Sequence, residues 1–181
     1  DFFDVKGSVE ALLASLGQRL SFEACVFPGL HDGQSAAILV DGHAVGRMGT
    51  IHPNVGKSLG LPVSTVVAEL EQSAVTALAM PEYKDISKFP ETRRDLALVV
   101  DKGVASGDVM ALIHDSAGEL LTKLDLFDVY QGTGLAEGKK SLAIGLTFQG
   151  QSRTLDETEV SGAVDQVLDS LREKLGIELR S

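Results

Sequence analysis

Arg93-Arg94-Asp95-Leu96-Ala97-Leu98-Val99-Val100 alternates as an extended strand does: Leu96, Leu98 and Val100 take one face, Asp95, Ala97 and Val99 the other. Lys140–Gln149 repeats the pattern, with Leu142, Ile144, Leu146 and Phe148 set against Ser141, Ala143, Gly145 and Thr147. Between the two lies a predicted helix, N-capped by Ser106 and ended by Gly118, whose Val109, Leu112, Ile113 and Ala117 form a stripe. It is followed by a strand over Leu121–Tyr130. Downstream, Thr154 with Glu157 three residues on reads as a capping box. It opens a last helix with Val160, Ala163, Val164, Val167, Leu168, Leu171 and Leu175 on one face, stopping at Gly176 before a short strand, Ile177–Arg180. The order is β-α-β-β-α-β, an α+β, ferredoxin-like arrangement in which two helices cover one face of a four-stranded antiparallel sheet. The third strand's uncovered face carries only small side chains, which lets a flat ligand or a backbone approach.

Working upstream, Met80–Pro90 (MPEYKDISKFP) breaks both periodicities, and 81–90 is read as a linker between 1–80 and 91–181. The first part opens with an amphipathic helix over 1–17, where Val5, Val9, Leu12, Leu13 and Leu16 make a stripe and Gly17 a stop. Strands follow at Ser21–Phe27, Ala36–Val40 and Ala44–Ile51, the last two joined by an Asp41-Gly42-His43 hairpin turn. A short helix is predicted around Asn54–Leu59, then a β-branched run at Val63–Leu70 and a helix reaching Met80.

The 181 residues carry 16 Lys+Arg against 26 Asp+Glu, a net charge of −10. Residues 1–80 hold 8 acidic and 4 basic side chains, and 81–181 hold 18 and 12. That balance excludes a generally sticky nucleic-acid binder, whose footprint is basic, but leaves room for a locally basic site. At 44% hydrophobic the chain is neither disordered nor fibrous. A single Cys excludes a disulfide framework and suits a reducing cytoplasm. No apolar run approaches the roughly 18 residues of a membrane span. The start at Asp1 points to a processed product or a piece of a longer chain.

Candidate chemistries fail one by one. In Gly132–Ser141 the glycines at 134 and 138 stand three residues apart, Lys140 rather than Ser or Thr follows Lys139, and Glu137 would repel phosphate, so this is a hairpin loop and not a phosphate loop. His31, His43, His52 and His114 lack the spacing of a zinc helix, and no metal site is expected. His52-Pro53 reads as a turn former and His114 as an exposed helix residue. Cys25, in an apolar run, is expected to be a buried, inert thiol. No nucleophile elbow or triad signature is present, and no catalytic residue is assigned. What remains is charge and aromatic placement. Lys84, Lys88, Arg93 and Arg94 cluster at the linker and first strand, Lys139 and Lys140 enter the third, and Arg153 precedes the last helix. With the first and third strands central, these residues would converge beside the open face, where Tyr130 would stack on a base. A solvated rim with packed aromatics fits the pattern equally well.

The residues also carry a resemblance. Phe2–Gly7, Pro28–Ala37, Gly49–Pro53, Asp85–Ala97, Leu126–Tyr130, Gly138–Ala143 and Ser152–Leu155 resemble, in order and across nearly the whole chain, the late part of the bacterial phenylalanyl-tRNA synthetase β subunit. The resemblance implies that 88–181 is a ferredoxin-fold anticodon-binding domain. It implies that 1–80 is part of an antiparallel class II synthetase-like module that is catalytically inactive. Active class II enzymes carry a Gly-rich turn with an ATP-binding Arg where this chain has Val66-Val67-Ala68-Glu69-Leu70-Glu71-Gln72. The family's enzyme is an (αβ)2 heterotetramer using ATP and magnesium, with activation in the α subunit, so no cofactor is expected in this stretch itself.

The implied partners are the tRNA(Phe) anticodon stem-loop and the α subunit, with no membrane. Lys88, Arg93, Arg94, Lys139, Lys140 and Arg153 would neutralise phosphates, while Asp95, Asp128, Ser141 and Tyr130 would face bases. The competing expectation is a structural module of the tetramer with incidental RNA contact. A small-molecule regulatory module of the same topology is disfavoured, because no convergent polar pocket stands out. If 1–80 lacks strands of its sheet, an unpaired edge and weak self-association are expected.

Overall fold

The computed structural model describes residues 1–14, 16–17, 20–76 and 86–180, which fall into two compact units, Asp1–Lys84 and Asp85–Ser181. The linker expected over 81–90 lies outside the described residues up to 85, as does the expected helix beyond residue 76; residues 86–90 carry no helix or strand.

The first unit runs α1 (Phe2–Ala14), β1 (Leu20–Ala24), β2 (Leu30–Val40), β3 (His43–Ile51), α2 (Pro53–Leu59), β4 (Val66–Leu70) and α3 (Gln72–Thr76). Its strands form an antiparallel sheet in the order β1-β2-β3-β4. Val9 and Leu13 of α1 are buried against Ala36, Ile38 and Met48, with Val5 and Leu16 packed alongside, whereas Leu12 falls off the stripe and is half exposed. The hairpin turn forms at Asp41 and Gly42, both at positive φ (49° and 79°), as a primed turn requires. His52 caps α2 through Nδ1, which accepts from the Asn54 amide at 3.2 Å.

One expectation is corrected here. Cys25 is exposed, because β1 ends at Ala24 and the chain leaves the sheet before the thiol can be covered.

The second unit runs β5 (Thr92–Asp101), α4 (Ser106–Ala117), β6 (Leu121–Tyr130), β7 (Lys139–Phe148), α5 (Glu157–Leu175) and β8 (Glu178–Leu179). The sheet order β6-β7-β5-β8 is antiparallel throughout, with β5 and β7 central. Leu96, Leu98 and Val100 pack with Leu142, Ile144, Leu146 and Phe148 beneath Val109 and Ile113 of α4 and Val160, Val167 and Leu171 of α5. Fully burying each such side chain is worth roughly 1.5–3 kcal/mol.

Two helix starts differ from expectation. The capping box is Asp156 with Glu159: Asp156 Oδ1 accepts from the Glu159 amide at 2.9 Å, and the Glu159 carboxylate from the Asp156 amide at 3.1 Å. Thr154 and Glu157 have the right spacing, but two residues on, the same polar pattern recurs with a carboxylate at both positions. Ala105, not Ser106, is the N-cap of α4, and no side chain caps it.

Candidate nucleic-acid interface

The pleat of the second sheet sorts the charged residues by parity. Cross-strand pairs Arg93↔Thr147, Asp95↔Gly145, Ala97↔Ala143, Val99↔Ser141 and Asp101↔Lys139 lie on the face that α4 and α5 leave open. From β6, Tyr130↔Ser141, Asp128↔Ala143 and Asp125↔Gly145 join them. A register shift between Leu126 and Asp128 inserts Phe127 as a bulge, and Phe127 and Tyr130 stay 54% and 37% exposed above the small residues of β7.

Arginines reach both aromatics. The Arg180 guanidinium lies over the Tyr130 ring, 5.2 Å from its centroid, and the Arg180 amide is tied to the Ala97 carbonyl at 2.7 Å. The Arg93 guanidinium lies over Phe127 at 5.6 Å and donates from Nε to Asp95 Oδ1 at 2.8 Å. Arg93 can lie flat there because Gly145 has no side chain; a Cβ would sit 2.8 Å from Arg93 Cζ. Its pKa is raised by the hydrogen bond to Asp95 and by the Asp95 charge; desolvation opposes them, and the Asp125 charge adds to the rise. Tyr130 is held by its own hydroxyl, which donates to the Thr133 carbonyl at 3.0 Å. Beneath it, Ser141 is 4% exposed, and among the described residues its hydroxyl has no hydrogen-bond partner.

The ten residues singled out in the sequence therefore divide. Arg93, Asp95, Asp128, Tyr130, Lys139 and Ser141 share the open side. Arg94 and Lys140 alternate onto the covered side. Arg94 donates to both Glu157 oxygens at 2.6 Å, and Lys140 Nζ donates to the Lys102 and Val104 carbonyls at 3.1 and 2.6 Å. Arg153 forms a two-pronged pair with Glu159 at 2.6 Å, which raises the arginine pKa and, together with the Asp156 amide, lowers that of the carboxylate. Lys139 pairs with Asp101 at 2.9 Å. Lys88 is exposed, with no side-chain partner among the described residues. The sequence puts Phe127 on the second strand beside Tyr130 but gives it no binding role, and it does not single out Arg180. Phe127 is displaced by a bulge that periodicity does not reveal, and Arg180 is five positions past the end of a helix whose return direction only the fold sets.

In the first unit, Glu69 of β4 pairs with Arg47 at 2.7 Å, and Glu71 takes the Ser73 hydroxyl at 3.3 Å. With two carboxylates and no glycine or arginine, Val66–Gln72 does not fit a nucleotide triphosphate. Among the described residues, no helix is long and apolar enough to cross a membrane.

Residues 87–180 match the family model described as ferredoxin-fold anticodon binding domain, and residues 1–72 match that of the phenylalanyl tRNA synthetase beta chain CLM domain. Among curated proteins, the chain is 50% identical to the phenylalanine–tRNA ligase beta subunit of Pseudomonas putida, 49% to that of Vibrio vulnificus and 48% to that of Aliivibrio fischeri. Each match covers 99% of this chain and 23% of the relative, so the chain spans about a quarter of the length of the curated relatives it matches.

Proposed function

We propose a function on the premise that this chain belongs to the ferredoxin-fold anticodon-binding family, as part of a phenylalanyl-tRNA synthetase β subunit. In that role it binds the anticodon stem-loop of tRNA(Phe) and helps dock the α subunit of an (αβ)2 heterotetramer. That enzyme joins phenylalanine to its tRNA with ATP and magnesium in the cytoplasm. Residues 1–80 act as the inactive class II-like module, 81–90 as the linker and 91–181 as the RNA-reading domain; the chemistry of activation lies elsewhere in the enzyme.

The observation that carries this reading is the Tyr130–Asp128–Ser141 group on the open sheet face. An unpaired base stacks on the Tyr130 ring. The Asp128 carboxylate, exposed and free of hydrogen-bond partners among the described residues, accepts from the base's N–H groups. The buried Ser141 hydroxyl supplies a donor or an acceptor. Stacking plus edge hydrogen bonds is how proteins read splayed RNA bases. Phosphates are left to the accessible cations, Arg93 and Lys88 foremost. Exposed apolar side chains of the first unit, Phe3, Val26, Leu59 and Val63 among them, are what a docked α subunit would cover.

Salt-dependent binding of the tRNA(Phe) anticodon stem-loop is the test. Two phosphate contacts predict a slope of log K against log salt of about −1.4, from roughly −0.7 per contact on single strands. Absence of binding at low salt refutes the reading. The structural reading draws support from Arg94, Lys140 and Arg153 being engaged within the fold. Deleting 88–181 from the whole enzyme separates the two: an intact tetramer that charges tRNA poorly favours RNA recognition, and a collapsed tetramer favours assembly.

A further inference from the structure

The open face carries one constellation twice. At one end stand an aromatic of β6 (Tyr130), an arginine over it (Arg180), a carboxylate (Asp128) and a buried β7 hydroxyl (Ser141). At the other stand an aromatic of β6 (Phe127), an arginine over it (Arg93), two carboxylates (Asp95, Asp125) and a second buried β7 hydroxyl, Thr147, 7% exposed. Among the described residues neither hydroxyl donates a hydrogen bond. A buried hydroxyl left unpaired carries a desolvation cost that a ligand's hydrogen bond would relieve.

We infer that Phe127, backed by Arg93 on the Gly145 floor, is a second base-stacking platform, so that the face holds two unpaired bases at once. This rests on the proposed RNA-binding role and adds a site to it. Phe127 is unsuited to a core role: the bulge lifts it out of register and it stays 54% exposed. The Arg93 guanidinium adds a positive charge over one side of the ring, 5.6 Å from its centroid, and Asp95 holds it there at 2.8 Å. Tyr130 lies three positions after Phe127, up to about 10 Å along a strand. That spacing suits two splayed nucleotides and is too wide for two bases stacked on each other. A flat hydrophobic partner of another class would not call for the flanking ion pairs, Arg93 with Asp95 and Lys123 with Asp125, whose groups can exchange onto phosphates and base N–H groups.

The test titrates the chain with the tRNA(Phe) anticodon stem-loop, following fluorescence anisotropy at fixed salt. Phe127→Ala is expected to weaken binding roughly 5- to 100-fold, the range one base–aromatic stack carries, and Phe127→Tyr to restore it. Gly145→Ala, which changes no charge but pushes the Arg93 guanidinium off its seat, is expected to weaken binding several-fold. Far-UV circular dichroism melts report folding, and Phe127→Ala is expected to leave them unchanged because the side chain is exposed. If Phe127→Ala binds within twofold of the unaltered chain while Tyr130→Ala loses affinity, the second platform is refuted and the first stands. If neither substitution matters, or the unaltered chain does not bind, both readings fall.

Discussion

Arg93 and Arg94 are adjacent, carry the same charge and are used in opposite ways. Arg94 turns to the covered side, and its Nη2 donates to both carboxylate oxygens of Glu157 at the start of α5. Arg93 turns to the open side and lies over Phe127. Lys139 and Lys140 repeat the contrast, the first on the open side with Asp101, the second tucked against the carbonyls that precede α4. Counting basic residues near a strand therefore overstates the charge on the open face about twofold, since the pleat sends alternate side chains to opposite faces. The two faces do different work: one holds the fold, the other is free to meet a ligand.

The comparison breaks most visibly if the covered face can be emptied without cost. Leu142→Ala, at a site with no exposure, should destabilise by about 2–5 kcal/mol in urea unfolding. On the open face the effects should reverse: Tyr130→Ala should lower stem-loop affinity by about 1–3 kcal/mol with little change in the unfolding midpoint. Asp156→Ala removes the cap of α5 and should cost about 1 kcal/mol of stability, sparing RNA affinity. Arg94→Met should cost less than about 1 kcal/mol, because its Glu157 partner is largely solvated, and it too should leave RNA affinity alone. Arg93→Met should do the converse.

The smallest effect concerns pH. Glu159 titrates below its ordinary value because Arg153 and the Asp156 amide bond its carboxylate. A depressed carboxylate contributes stability above its unfolded pKa, near 4.3, that is lost as pH falls through the folded value. Arg153→Met should flatten that part of the acid limb of a melting-temperature profile.

Much of this was legible in the sequence. Leu96-Ala97-Leu98-Val99-Val100 and Leu142–Phe148 announce their buried faces by strict alternation, and Gly118 and Gly176 mark helix ends. The chemistry of the interface was harder to read. Ser141 follows from the alternation of β7, but Asp128 and Tyr130 reach the open face only because the bulge at Phe127 reverses the parity that Leu124 and Leu126 set. Phe127 and Arg180 depend on a bulge and on the return path of β8, both products of tertiary packing. Arg94 and Lys140 were placed with the phosphate-binding group because their proximity in sequence hides their opposite parity. Cys25 is exposed against expectation for a related reason: an apolar run does not reveal where its strand stops.

Backbone amide shifts of the labelled chain, followed as the tRNA(Phe) anticodon stem-loop is added, test most directly whether RNA meets the open face of the second sheet. Shifts should concentrate at Arg93–Asp95, Phe127–Tyr130, Ser141 and Arg180, with α4 and α5 quiet. Shifts centred on the exposed sides of α4 and α5, or none at all, would contradict that placement.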